Sequence, residues 1–204
     1  MSAPEVRRVV VATANRGKLE EIRSALPFEG WEFVTATDLG EAPLHVEETG
    51  TTFVANARLK AHAYHEAFGL AALADDSGLE VDVLGGAPGV YSSRYADDCL
   101  GGGDSANNAR LLVELEEVPA AERTARFRSV MVLVDDHGHE TVAEGSCEGT
   151  IGFQPRGTGG FGYDPLFLPE ATPGRTMAEL TLAEKNEISH RGAALRALRT
   201  QLGG

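Results

Sequence analysis

The feature that most constrains the fold is an alternation of short β-branched runs with segments of helical periodicity in the first half of the chain. Residues 7–12 form a compact apolar run that predicts a buried strand, and residues 18–26 follow with apolar side chains at helical spacing. The same reading continues along the chain, predicting strands over 31–35, 70–74, 79–83 and 163–168, a long helix over 51–68 and a helix to 116 capped by Asp104 or Ser105. Residues 126–134 and 140–148 flank a turn and predict a hairpin, and Ser189 is expected to cap a C-terminal helix. The pattern indicates a mixed α/β sheet with flanking helices.

Composition narrows the class of protein. The 204 residues suit a single domain over 1–204, or two tightly fused lobes. The net charge of −13 disfavours nucleic acid polymers as partners, because their affinity comes largely from Lys and Arg contacts to phosphates. A small phosphorylated ligand would need a local basic patch or a bound metal. No apolar run approaches the roughly 18 residues of a membrane helix, and two cysteines cannot build a disulfide framework, so a reduced, cytoplasmic setting without a membrane is expected.

The first candidate site lies in residues 13–18, Thr13, Ala14, Asn15, Arg16, Gly17 and Lys18, where a strand passes through a polar loop into a helix. The N–H groups at a helix N-terminus form an anion site, and Lys18 adds a positive charge suited to phosphate. The segment is not a Walker A loop, since Leu19 stands where Ser or Thr is needed. A plain strand–helix connection explains it equally well.

The second candidate is Asp75-Asp76-Ser77-Gly78 after a hydrophobic strand. Carboxylates at the end of a strand lie where α/β proteins place their sites. Such oxygens suit Mg²⁺, and a carboxylate there can orient or deprotonate a water. The alternative is a solvated turn, because Asp-Ser-Gly is ordinary turn chemistry.

Two further candidates lie in the second half of the chain. Residues 157–165 contain a formal G-x-G-x-x-G pattern, but a strand-like segment follows it, so a dinucleotide fold is rejected. The glycines suggest a close approach to a ligand, with Phe161 offering a face for stacking a base and Asp164 a buried polar anchor, whereas a tight hairpin is the plain alternative. Lys185, His190 and Arg191 collect donors near the start of the last helix, or else form a basic surface patch.

The order of these motifs is more specific than any one of them. The series reads Thr-x-Asn-x-Gly-Lys, Glu-Thr-Gly-x-Thr-Phe, Ala-Asp-Asp-Ser-Gly-Leu, Gly-Gly-Ala-Pro-Gly-Val-Tyr-Ser-Ser-Arg-Tyr, Gly-Thr-Gly-Gly-Phe-Gly-Tyr-Asp-Pro and Ile-Ser-His-Arg-Gly. It closely resembles the noncanonical purine nucleoside triphosphate pyrophosphatases, the inosine/xanthosine triphosphate diphosphatase family, from Val10 to Arg191.

The resemblance implies a Mg²⁺-dependent hydrolase that releases a nucleoside monophosphate and pyrophosphate from ITP, dITP or XTP. It also implies a homodimer and an elongated α/β fold with two lobes around an active-site cleft. Carried over residue by residue, the resemblance implies that residues 13–18 bind the phosphates. It also implies that Glu48 and Asp76 bind Mg²⁺ and that Asp76 acts as general base. Ser77 would contact substrate, and the base would be enclosed by Phe161, Gly162, Tyr163, Asp164, Lys185, His190 and Arg191.

Two positions depart from the family pattern or leave it open. Ala55 stands where the family often has a glutamate, so we expect weaker metal binding if that glutamate contributes. Glu47 lies beside Glu48, which leaves open which of the two binds the metal.

Donors in the base pocket would favour the 6-oxo acceptor of hypoxanthine and xanthine over the 6-amino group of adenine, because an unpaired buried polar group costs about 1–3 kcal/mol. Three alternatives stay open: a related house-cleaning nucleotide pyrophosphatase with another base preference, a phosphatase that removes only the γ-phosphate, and a nucleotide sensor without catalysis.

Overall fold

The computed structural model describes residues 6–25, 28, 30–97 and 102–203, so Cys99 lies outside the described residues. These described residues include six strands, β1 (Arg7–Val11), β2 (Trp31–Val34), β3 (Ala71–Val81), β4 (Thr124–Val134), β5 (Glu140–Ile151) and β6 (Phe167–Pro169). The same part of the chain contains five α-helices, α1 (Arg16–Ala25), α2 (Phe53–Phe68), α3 (Gly103–Glu114), α4 (Leu182–Ile188) and α5 (His190–Gln201). The predicted mixed α/β class is confirmed.

The six strands form one sheet in the order β2-β1-β3-β4-β5-β6. Strand β1 pairs in parallel with β2 and with β3, whereas β6 runs antiparallel to β5. Parallel neighbours need crossover connections, which α1 and α2 supply. The hairpin prediction is confirmed, since the backbone N–H of Asp135 donates to the carbonyl of His139 between β4 and β5.

The largest difference from the sequence-based expectation is in β3. Separate strands over 70–74 and 79–83 were predicted, with Asp75 and Asp76 at the end of the first strand or, alternatively, in a solvated turn, but one continuous strand runs from Ala71 to Val81. Asp75 and Asp76 are therefore strand residues, only 2% and 6% exposed, and neither a strand end nor a solvated turn. The strand continues through them because each carboxylate meets buried cations.

Smaller differences concern where elements begin and end. Helix α1 begins at Arg16 rather than at residue 18, because the side chain of Asn15 accepts a hydrogen bond from the N–H of Lys18 and caps the helix. Helix α3 is preceded by Gly102, so Asp104 does not cap it. Helix α4 was not predicted; a reciprocal capping box between Thr181 and Glu184 starts it. The strand predicted over 163–168 is reduced to β6.

The chain divides into two compact units, residues 1–76, 129–145 and 191–204 in the first, and residues 77–128 and 146–190 in the second. The first unit has a cluster on each face of its strands. One contains Val9, Leu73, Ile22 of α1 and Leu195 of α5, and the other contains Val10, Ala72, Ala74, and Ala57 and Ala61 of α2. The second unit has one core built on Leu79, Leu111, Phe127, Leu166 and Phe167. The single-domain organisation stays a prediction.

Within the described ranges, every helix is too short or too polar to traverse a bilayer.

Candidate functional site

The segment predicted to bind phosphate is a capped helix start. The N–H of Asn15 donates to Thr13 Oγ1 at 3.1 Å, and Asn15 Oδ1 accepts from the N–H of Lys18 at the same distance. Ala14, Asn15 and Arg16 are exposed, whereas Gly17 and Lys18 are half-buried. The helix N-terminus therefore faces solvent next to a lysine, as an anion site requires.

Adjacent carboxylates on β3 serve opposite faces of the sheet. Successive strand side chains alternate, so Asp75 shares a face with Leu73 and Asp76 shares one with Ala74. The Leu73 face is covered by α1 and α5, and the Ala74 face by α2. The two carboxylates consequently meet different partners.

Asp75 lies at the centre of a buried ion cluster. Its Oδ2 is 2.9 Å from Lys18 Nζ and 3.1 Å from Arg191 Nη2, and Ser129 Oγ donates to its Oδ1 at 2.5 Å. Arg191 also pairs with Glu21 of α1. Lys18 and Arg191, separated by most of the chain, are thus joined through one carboxylate.

The electrostatics fix the charge on Asp75. Burial alone would raise its pKa, but Arg191 and Lys18 outweigh burial and hold the pKa well below its ordinary value. Burial lowers the pKa of Lys18, an effect that Asp75 opposes. Asp75 is therefore ionised and paired with Lys18 and Arg191. A carboxylate with so low a pKa is a poor general base.

Asp76 has a different environment. Its Oδ1 is 2.8 Å from Lys60 Nζ, and Lys60 Nζ is 3.0 Å from Glu48 Oε1. Among the described residues, no group hydrogen-bonds the buried Oδ2 of Asp76. Burial raises the pKa of Asp76 although Lys60 opposes the shift. Asp76 thus keeps one oxygen available for a ligand or a water.

Lys60 is the residue that sequence reasoning missed. Its ammonium joins Glu48 to Asp76 and also donates to the carbonyl of Asp75 at 3.1 Å. Burial would lower its pKa, but Asp76 and Glu48 outweigh burial and raise it. The available signal was a lysine on the apolar stripe of α2, one turn after Asn56 and next to Ala61.

The loop that carries Glu48 is tied to α2. The N–H of Gly50 donates to Asn56 Oδ1 at 2.8 Å, and a Cβ on Gly50 would lie 2.6 Å from that oxygen. Glu48 is half-buried and contacts Lys60, whereas Glu47 is exposed. This geometry favours Glu48 over Glu47 as the functional carboxylate.

The residues present fit a Mg²⁺ ion with few protein ligands. Glu48 and Asp76 converge on one ammonium, and Asp76 Oδ2 is buried and unpartnered among the described residues. Across the same residues, no group of three or more His, Cys, Asp or Glu side chains forms a metal cage. One or two carboxylates completed by substrate phosphates are the usual way in which proteins hold Mg²⁺.

In the second unit, the candidate residues for base binding form a closed set of contacts. Asp164 Oδ2 accepts from the N–H of Phe161 at 2.9 Å and from Lys185 Nζ at 2.5 Å. Lys185 Nζ also lies over the Phe161 ring, 4.8 Å from its centroid. The half-buried ring is therefore held by its own backbone, a buried carboxylate and a cation–π contact.

Glycine is required where the segment folds around that carboxylate. Gly160 has φ +72°, and a Cβ there would lie 2.0 Å from Asp164 Oδ2. Gly157 has φ +80°, and a Cβ there would lie 2.6 Å from the backbone of Ala178. The close approach that the glycines predict is thus an approach to the protein's own backbone and to Asp164.

Other residues expected at the base have structural partners. The Tyr163 hydroxyl donates to the carbonyl of Ser92 at 2.9 Å, and the His190 ring stacks on Phe127 with centroids 4.8 Å apart. Gly162 is held by α3, since its N–H donates to Asp104 and its carbonyl accepts from Asn108. Ser77 is a half-buried residue of β3. Arg191 belongs to the Asp75 cluster of the first unit.

A cavity of about 470 Å³ lies beside Phe161 in the second unit. Its walls combine the first turns of α3 with the glycine-rich segment, and include Asp104, Asn108, Leu112, Pro155 and residues 158–162. The α3 residues were not expected near this segment. The periodicity of a helix predicts the helix itself but not which segment of the chain packs against it.

Comparison with known proteins gives one consistent result. The Ham1 family model matches residues 9–201. The dITP/XTP pyrophosphatase of Geobacter sulfurreducens is 50% identical, covering 96% of each chain, and that of Thermus thermophilus is 50% identical over 94% of this chain and 89% of its own. A HAM1 protein from Coxiella burnetii has a similar structure, with TM-score 0.82, 41% identity, and 97% and 98% coverage.

Proposed function

Because the chain belongs to the Ham1 family, we propose that it hydrolyses the noncanonical purine nucleoside triphosphates ITP, dITP and XTP to the monophosphate and pyrophosphate. Such a reaction removes deaminated purines from the nucleotide pool. The names of its relatives at about 50% identity support this substrate class.

The observation that carries the proposal is the pairing of a phosphate-binding helix start with two converging carboxylates in the first unit. Lys18 contacts Asp75, while Glu48 and Asp76 on the other face share Lys60. Carboxylates repel a bound triphosphate unless cations lie between them, and in this unit Lys18 and Lys60 are such cations.

We further propose that Glu48 and Asp76 hold Mg²⁺ together with the substrate phosphates. When bound, the ion neutralises phosphate charge and lowers the pKa of a water, which contributes several kcal/mol to transition-state stabilisation. Ala55 leaves the ion without a glutamate from that position.

The chain's own groups would do the rest. Asn15, the α1 N-terminus and Lys18 bind and orient the triphosphate, since N–H groups and an ammonium complement phosphate oxygens. Asp76 orients the attacking water through Oδ2, and burial raises its pKa, which makes it a better proton acceptor than an exposed aspartate. Lys60 keeps Asp76 and Glu48 close in spite of their like charge.

In the second unit we propose that the Phe161 ring stacks on the purine. Its position is set by Asp164 and Lys185, and offset stacking on an aromatic ring suits a flat base. Lys185 contributes a positive field near the ring that favours a 6-oxo acceptor over an amino donor.

The deciding experiment uses purified protein with Mg²⁺ and equal ITP, XTP, GTP and ATP in parallel, scored for pyrophosphate against orthophosphate. We expect pyrophosphate from ITP and XTP, with GTP and ATP nearly untouched. Orthophosphate as the product would overturn the reaction, and equal use of all bases would overturn the base assignment and favour a related pyrophosphatase. Omitting Mg²⁺, or replacing it with Ca²⁺, tests the metal proposal.

We also propose that the protein is a homodimer, as the resemblance implies. Light scattering coupled to size-exclusion chromatography separates a 21.6 kDa monomer from a particle of twice that mass.

A further inference from the structure

Asp75 is the buried acid that the proposed reaction leaves without a role. The proposed chemistry uses its neighbour Asp76, and the two point to opposite faces of β3. Yet the side chain of Asp75 has no exposed surface and still collects three donors. A carboxylate is expensive to bury, so such a placement calls for an explanation.

We infer that Asp75 is a positioning residue that holds the Lys18 ammonium in place for the triphosphate. The inference rests on the proposed function, because it assigns phosphate binding to Lys18. It concerns the contact between Asp75 and Lys18 and requires no contact between Asp75 and substrate.

The geometry makes Asp75 the fixed partner and Lys18 the adjustable one. Ser129 Oγ holds Oδ1 of Asp75 at 2.5 Å, and Arg191, 1% exposed, holds Oδ2 at 3.1 Å. Lys18 is the most accessible member of the cluster, with 17% of its side chain exposed. Its backbone is also fixed, because its N–H donates to Asn15 in the helix cap.

Two anchors therefore define where the ammonium lies, the cap at its backbone and Asp75 at its tip. A lysine has a flexible four-carbon stem, and orientation of a phosphate by an ammonium depends on that stem being held. Other charges also act on Lys18, since Lys60 and Arg191 repel its ammonium and Asp76 attracts it. If Asp75 were removed, these charges alone would determine where the ammonium lies. The ammonium would then move away from the phosphate-binding helix start.

The test is a double-mutant cycle on ITP hydrolysis with Asp75→Asn, Lys18→Ala and the double variant. Asp75→Asn should lower kcat/KM at least tenfold alone and less than threefold in the Lys18→Ala background, because its effect passes through Lys18. An equal loss in both backgrounds, or no loss in the single variant, would overturn the inference.

Ser129→Ala provides a version of the test that removes no charge. It takes one hydrogen bond from Asp75 and should lower kcat/KM severalfold with Lys18 present and not without it, which keeps the inference testable if Asp75→Asn does not fold. Glu21→Gln is the matched control, because it disturbs the other ion pair of Arg191. Its effect should be the same in both backgrounds.

A second readout needs no activity. The side-chain ammonium signal of Lys18, observed by NMR at low temperature, should be present in the wild type and in Glu21→Gln and lost in Asp75→Asn. Persistence of the signal in a folded Asp75→Asn variant would reject the inference. A wild type that releases no pyrophosphate would reject the proposed function alone, and the NMR result would still decide whether Asp75 positions Lys18.

Discussion

At the scale of single residues, neighbouring aspartates are distinguished by what surrounds them. Asp75 is occupied by Lys18, Arg191 and Ser129, whereas Asp76 keeps a buried oxygen with no partner among the described residues. The residue type alone predicts the same chemistry for both. Their environments indicate that Asp75 forms ion pairs with Lys18 and Arg191 and that Asp76 orients a water.

Asp76→Asn should abolish turnover while the fold survives. The amide cannot accept a proton, and the loss of one charge leaves Lys60 paired with Glu48. We expect a fall in kcat of at least a thousandfold with an unchanged circular dichroism spectrum. Hydrolysis near the wild-type rate would contradict the role given to Asp76.

Tyr163→Phe should reduce stability and leave base selectivity intact. The change removes one hydrogen bond to the buried carbonyl of Ser92, which still accepts from Asn107 Nδ2 at 3.3 Å, so we expect a loss of about 0.5–1.5 kcal/mol. Denaturant unfolding measures the loss, and the ratio of kcat/KM for ITP to that for GTP is the control. A change in that ratio without a loss of stability would show that Tyr163 contacts the substrate.

Cys147 should be unreactive in the native state, because burial raises the pKa of its thiol to about 12. In a Cys99→Ser background, iodoacetamide at pH 8 should modify Cys147 only after unfolding, as mass spectrometry would show. Rapid modification of the native protein would contradict its burial.

At the scale of elements, the glycine-rich segment is a support for Phe161. Gly160 must be glycine both for its φ of +72° and because Asp164 Oδ2 occupies the space of a Cβ. Gly162 shares a positive φ, +61°, but has open space around it. A substitution at Gly162 therefore introduces backbone strain alone, whereas one at Gly160 introduces the strain and a collision with Asp164.

Gly160→Ala should raise KM for ITP more than Gly162→Ala does. Gly162→Ala adds only the strain of a positive φ, about 1–2 kcal/mol. Gly160→Ala also displaces Asp164, and with it Phe161 and Lys185. Michaelis parameters and unfolding free energies for both variants make the comparison, and equal KM values would show that the segment does not position the ring.

The turn between β4 and β5 should confer a pH-dependent stability of its own. Asp135 accepts from the N–H groups of His137 and His139, and these hydrogen bonds, led by that from His139, lower its pKa from 3.8 to about 2. The stabilisation is complete above about pH 4 and is lost as the pH falls toward 2. NMR titration of the Asp135 carboxyl group measures the shift, and Asp135→Asn should flatten that part of the stability profile.

At the scale of the whole molecule, the sequence predicted elements better than side-chain networks. Local periodicity located β1, β2, α2 and the hairpin, because each depends on residues close in the chain. It could not predict the Asp75 cluster, since Arg191 is 116 residues away and Glu21 is separated from Arg191 by 170. It also divided β3 into two strands at residues 75–78, because local sequence carries no information about the distant cations that neutralise the two aspartates.

The net charge of −13 predicts a response to salt. Self-repulsion destabilises a compact anionic chain, and the screening length falls to about 10 Å at 0.1 M salt. The melting temperature should therefore rise between 10 and 300 mM added salt, equally in NaCl and KCl. A fall would show that the ion pairs contribute more to stability than the overall repulsion takes away.

The continuity of β3 through Asp75 and Asp76 has a consequence for how such a chain tolerates change. Because the two carboxylates face opposite ways, each pairs with its own cations, Asp75 with Lys18 and Arg191, and Asp76 with Lys60. The same arrangement makes register unforgiving. Deleting a single residue upstream of Asp75 within the strand would exchange the two aspartates between α1 and α2, leaving every charged side chain present and each facing the wrong helix.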